Sequence, residues 1–197
     1  MEAPSGSRSF PVALLFVSAG LLFGLAAGLI IFYGLPSLPR LANASGGPTA
    51  TPAPAPVVGA PAPNFRLKNL AGNDVELASL KGQVVLINFW ATWCGPCEAE
   101  MPAIDQRYQT FQNRGFTVLA VNLDEPANEV TNFINRLGVT FPVLLDPGET
   151  VFDLYRVRGY PTTFIVDRSG MIAAQHVGYM SDEQLDRYLL EVGVGSQ

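Results

Sequence analysis

Cys94 and Cys97 are the only cysteines of the chain, and Gly95 and Pro96 separate them. At this spacing two thiols close a small ring, so a mixed disulfide on one can be released by attack of the other. The thiolate, not the thiol, is the attacking species, so the placement of each sulfur matters. The run Val84–Phe89 is apolar, short and rich in β-branched residues, which predicts a buried strand. From Glu98 onward Met101, Ile104, Tyr108 and Phe111 recur at helical spacing and define one face of a helix. The two cysteines therefore stand where a strand hands over to a helix N-terminus. Pro96 is tolerated there because first-turn N–H groups have no intrahelical partner. The same unpaired N–H groups and the helix dipole stabilise negative charge. Cys94, at the tip, is expected to have a lowered pKa and to be the nucleophile; Cys97, one turn in, is expected to be the buried resolving thiol.

Other chemistries fit these residues less well. A structural disulfide would usually close a longer loop. A structural zinc site wants four ligands, and the only other soft ligand is His176, the single histidine; no metal is expected. Covalent haem needs histidine directly after the second cysteine, where Glu98 stands. A Cys/His hydrolase would have to recruit His176, which lies in the strand-like run Met171–Val177 and reads as a surface strand residue.

Trp93-Cys94-Gly95-Pro96-Cys97 after a hydrophobic strand resembles the thioredoxin superfamily. The longer string from Asn88 to Cys97, with Glu100 and Met101-Pro102 behind it, resembles the membrane-anchored TlpA/ResA-like thiol–disulfide oxidoreductases, over roughly Val57 to Val192. The resemblance implies catalytic Cys94 and Cys97 cycling through a disulfide, no other cofactor, and a substrate-binding rim that includes Trp93, Gly95 and Pro96.

The surrounding elements read as follows. Phe65–Lys68 and Val75–Leu77, joined by a turn at Ala71-Gly72-Asn73-Asp74, form a hairpin. Beyond the cysteine unit come a strand over Phe116–Leu123, a helix over Ala127–Leu137, a strand over Phe141–Leu145 and a short helix over Glu149–Tyr155. Thr162–Val166 and Met171–Val177 form a second hairpin, and Ser181 with Gln184 is a capping box opening a final helix. The fold class is α/β, a mixed sheet with helices on its faces. In the terms of the resemblance it is a thioredoxin fold with an N-terminal β-hairpin and a central αβ insertion, unlike the all-helical insertion of DsbA-type oxidases.

Gly159-Tyr160-Pro161-Thr162 precedes the second hairpin. The resemblance implies a cis peptide bond at Pro161, packed beside the cysteines. It also implies a Tyr160 backbone that faces an incoming substrate strand, where main-chain pairing gives affinity with little sequence demand. Ordinary thioredoxins carry a buried Asp six residues before the first cysteine; Asn88 stands here and cannot titrate. Glu100 shares the helical face of Cys97, and the matching glutamate lines the active site in ResA-like proteins. Glu100 is expected to be partly buried, to have a raised pKa and to handle the proton of the thiol pair; Glu98 is expected to be solvated. Peroxiredoxins share the fold but place Thr three residues before the reactive cysteine. Here Thr92 is two before Cys94, so a thiol peroxidase is the lesser alternative, beside a redox-inert tether or copper-chaperone module.

The rest of the sequence bounds the setting. The chain is 48% hydrophobic with a formal charge of −5. It has no basic cluster, which argues against nucleic-acid binding. Phe10–Tyr33 is uncharged and long enough to span a bilayer. Residues 1–9 read as a short cytoplasmic tail, 10–33 as a transmembrane signal-anchor, 34–63 as a Pro/Ala-rich linker and 64–197 as the thioredoxin-like domain. Gly20, Gly24 and Gly28 have the spacing of a helix-dimer pattern, though glycine is common in spanning helices. Ala42-Asn43-Ala44 resembles a signal-peptidase site, but the apolar core is too long for a signal peptide. Arg8 and the N-terminal amine precede the span, which puts the main domain on the extracytoplasmic side of the cell membrane, single-pass. The absence of further cysteines suits an oxidising space. The resemblance implies disulfide-containing protein partners such as apocytochrome c or copper-site cysteines, and a CcdA/DsbD-like membrane donor of electrons.

Overall fold

A computed structural model describes residues 53–195. The expected anchor at 10–33, the tail before it and most of the linker lie outside the described residues. Among the described residues no helix is long and apolar enough to cross a membrane.

The strands are β1 (Arg66–Asn69), β2 (Asp74–Glu76), β3 (Val84–Trp90), β4 (Phe116–Leu123), β5 (Val143–Asp146), β6 (Thr162–Val166) and β7 (Ile172–Val177). The helices are α1 (Gly95–Phe111), α2 (Ala127–Leu137), α3 (Thr150–Leu154) and α4 (Asp182–Glu191). The strands form one sheet in the order β2-β1-β5-β4-β3-β6-β7. β3 runs parallel to β4 and β4 parallel to β5, whereas β6 is antiparallel to β3 and β1 antiparallel to β5. The α2–β5 unit is the expected insertion, and it gives the N-terminal hairpin a strand to pair with.

All residues of β3 are buried, as a strand covered on both faces requires. Its side chains alternate between two apolar layers. Val84, Leu86 and Trp90 join Met101 and Ile104 of α1 and Phe133 of α2. Val85, Ile87 and Phe89 join Phe152, Tyr155 and Phe164 on the other face. α2 stops where Gly138 turns left-handed at φ 74° and its N–H bonds Ile134 O, a conformation that costs glycine little. The Ser181–Gln184 capping box is formed in both directions.

The folded unit begins before Asn64, the start expected from composition. Gly59 N–H donates to Ile172 O, Ile172 N–H to Ala60 O, and Ala62 N–H to Gly170 O. Tyr155 Oη donates to Pro63 O at 2.7 Å. Proline cannot donate, but Gly59, Ala60 and Ala62 stand around Pro61 and supply the groups that pair with the start of β7.

Candidate redox site

The site lies at the C-terminal end of β3, where the chain turns into α1. Cys94 is the N-cap of α1, and its Sγ accepts the Cys97 N–H at 3.3 Å. That contact satisfies one unpaired first-turn donor and aims a positive dipole at the sulfur. The two cysteines are joined in a disulfide. Cys94 is 5% exposed and Cys97 wholly buried, the order expected of an attacking and a resolving sulfur. Gly95 and Pro96 are exposed on the first turn.

Trp93 is 65% exposed. Its indole meets the Tyr160 ring edge-on, with centroids 5.6 Å apart. The Tyr160–Pro161 peptide is cis, as the resemblance implied. The last β3–β6 pair is Phe89 with Thr162, so Pro161 and Tyr160 emerge at the end of the sheet where β3 turns into α1. Thr162 Oγ1 ties back to Gly159 O, and Gly178 N–H donates to Pro161 O. Among the described residues no hydrogen bond engages the Tyr160 N–H or carbonyl.

Glu100 is only 1% exposed, so its burial is nearly complete, where partial burial was expected. Burial raises its pKa to about 7, against the opposing pull of hydrogen bonds from Met180 and Asn88. Met180 N–H donates to Oε2 at 2.9 Å and Asn88 Nδ2 to Oε1 at 2.7 Å. Asn88 comes from β3, and Met180 from the loop before α4, 80 residues along the chain, which is why periodicity alone did not foretell the depth of the site. Glu98 is half exposed and 4.0 Å from Arg136.

Sequence reasoning passed over Glu125. Its carboxylate accepts the Thr92 N–H at 2.8 Å, the Thr92 hydroxyl and Asn122 Nδ2 at 2.6 Å. It thereby anchors the residue two before Cys94 to the end of β4. The available signal was topological: Asp124-Glu125-Pro126 follows a strand parallel to β3, so the loop emerges at the same end of the sheet as the cysteines. His176 takes no part. Its Nδ1 lies 3.3 Å from Tyr188 Oη and its Nε2 3.1 Å from Tyr179 O. Among the described residues no three His, Cys, Asp or Glu side chains are grouped to hold a metal ion.

The chain is similar to known proteins. Residues 58–175 match the AhpC/TSA family. The thiol–disulfide oxidoreductase ResA of Bacillus thuringiensis is 40% identical over 135 residues, covering 68% of this chain and 78% of the relative. ResA of Geobacillus kaustophilus is 40% identical over 132 residues, covering 67% and 76%. Among solved structures, a thiol:disulfide interchange protein of the thioredoxin family from Chlorobium tepidum superposes with a TM-score of 0.62 at 32% identity, covering 73% of this chain and 99% of that one.

Proposed function

The chain belongs to the AhpC/TSA family within the thioredoxin superfamily and is a thiol–disulfide oxidoreductase of the ResA/DsbE type; from that premise we propose that it is a membrane-tethered reductase of extracytoplasmic protein disulfides. The observation that carries the chemistry is Cys94 at the N-cap of α1, with the Cys97 N–H aimed at its sulfur and Trp93 and Tyr160 beside it.

In the reduced protein the Cys94 thiolate attacks one sulfur of a substrate disulfide. A bond forms between Cys94 Sγ and that sulfur, the substrate disulfide breaks, and the second substrate sulfur leaves as a thiolate that takes up a proton. Glu100, one helical turn beyond Cys97, accepts the Cys97 proton. The freed Cys97 thiolate attacks Cys94 Sγ, the Cys94–Cys97 disulfide forms, and the first substrate sulfur leaves and is protonated. The substrate gains two electrons and two protons, and the protein dithiol loses them, one proton from Cys94 when its thiolate forms and one from Cys97 through Glu100. A carboxylate also disfavours a thiolate beside it, so Glu100 holds the resolving sulfur protonated until it is needed. Trp93, Gly95 and Pro96 form one lip of the substrate groove, and the Tyr160 backbone and Pro161 form the other.

The uncharged Phe10–Tyr33 supports the tether and the charge bias around it supports the outward-facing domain. The resemblance to ResA-like proteins favours apocytochrome c or copper-site cysteines as substrates and a CcdA/DsbD-like membrane protein as the donor of electrons. The test is turnover: with a dithiol donor the wild-type chain reduces insulin disulfides, and Cys94→Ser abolishes the reaction. Turnover that survives Cys94→Ser refutes the assignment.

A further inference from the structure

We infer that Asn88 turns its side-chain amide over when Glu100 takes up a proton, and so governs how readily that buried carboxyl holds one. The inference deepens the reading of Glu100 given above and rests on it for its catalytic consequence. Asn88 sits on β3, 1% exposed. Its Nδ2 spends both hydrogens, one on Glu100 Oε1 at 2.7 Å and one on Thr163 Oγ1 at 3.0 Å. Its Oδ1 is buried and has no hydrogen-bond partner among the described residues.

This pattern matches a charged Glu100. Both carboxylate oxygens face N–H donors, Oε1 from Asn88 and Oε2 from Met180. A proton added to the carboxyl must lie on one of them. The Met180 donor is a backbone N–H and cannot reverse. The Asn88 donor is a primary amide, and a half-turn exchanges Oδ1 with Nδ2 while keeping the shape. After that turn Oδ1 offers two lone pairs, one for Glu100 Oε1–H and one for Thr163 Oγ1–H. The Thr163 hydroxyl accepts in the first arrangement and donates in the second, so the three side chains change together. In either state Glu100 keeps both partners and only one end of the Asn88 amide is left alone.

This gives a physical reason for asparagine where thioredoxins carry aspartate. A carboxylate at position 88 would stand against Glu100, and like charges at that range cannot both ionise readily. An apolar side chain would leave Oε1 without a donor, and a buried carboxylate oxygen with no donor is costly. The groups bonded to Glu100 are Asn88 from β3, with Thr163 of β6 behind it, and the Met180 N–H from the loop before α4; Cys97 stands one turn earlier on α1. None carries a charge while the disulfide is closed, so the amide is the adjustable partner.

The test uses the oxidised full-length chain in detergent micelles, with labelled asparagine side-chain amides and labelled glutamate carboxyls followed by NMR against pH. The Asn88 amide and Glu100 carboxyl signals are expected to move together with one midpoint. Asn88→Leu, which keeps the branched shape and removes the donor, is expected to raise the Glu100 midpoint by a pH unit or more. Asn88 signals that stay fixed while Glu100 titrates overturn the inference, whether or not the variant folds. A folded Asn88→Leu with an unmoved Glu100 midpoint also overturns it, and a purely structural asparagine would give that result. A Glu100 found to exchange no proton with the thiols would instead sink the functional reading and leave the amide's response intact.

Discussion

Glu100→Gln should change the pH dependence of stability in a calculable way. Burial raises the Glu100 pKa from an ordinary 4.5 to about 7. Between those values the folded chain holds a proton that the unfolded chain has released. The folded state therefore binds more protons, and its stability falls as pH rises through that window. The penalty is complete above about pH 7. At about 1.4 kcal/mol per tenfold change in proton affinity it amounts to roughly 3 kcal/mol. Glutamine keeps the size, carries no charge and mimics the protonated form. Its oxygen can accept the Met180 N–H, and its amino group can donate to a turned Asn88. The variant should lose this pH dependence, so that it gains on the wild type by up to roughly 3 kcal/mol between pH 5 and 8. Urea unfolding of the oxidised chain measures this, because the thiols cannot titrate there and other groups cancel in the difference. Both tryptophans, Trp90 and Trp93, lie near the site and report unfolding. A difference that stays flat from pH 5 to 8 would mean that Glu100 titrates as a solvated carboxylate, and the proton route through it would fall.

Two other variants probe the neighbouring parts. Glu125→Ala strips acceptors from Thr92 and Asn122 and should lower stability by about 1–3 kcal/mol while loosening Trp93; a wild-type urea midpoint and unchanged Trp93 fluorescence anisotropy would refute its anchoring role. Cys97→Ser removes the resolving sulfur and should trap substrate on Cys94 as a mixed disulfide visible on non-reducing gels; free enzyme alone would show that Cys94 is not the attacking group.

Local physics made much of the architecture readable. The β-branched run at Val84, the helical spacing from Met101 and the capping box at Ser181 each act over a few residues, and the elements stand where those signals put them. α2 matches its expected bounds because its apolar face is complete and Gly138 ends it. Proline content misread Gly59–Ala62, since composition records what cannot donate and not which strand edge lies nearby. The site's electrostatics were less legible. The motif pointed to Glu100, but its depth depends on Met180, which lies far along the chain and meets it only after the sheet has closed. Glu125 has no motif at all; its importance comes from the parallel pairing of β3 and β4. Contacts of that kind are set by topology, and a single sequence shows topology only through the elements it implies.

The direction of electron flow is the centre of the account, and the reduction potential of the Cys94–Cys97 couple tests it most directly. Equilibration of the full-length chain with a series of dithiol buffers at pH 7, read by alkylation, gives the value. A reductase should lie near or below thioredoxin, at about −270 mV. A value near that of the oxidant DsbA, at about −120 mV, would contradict the reductive reading and make the protein a donor of disulfides.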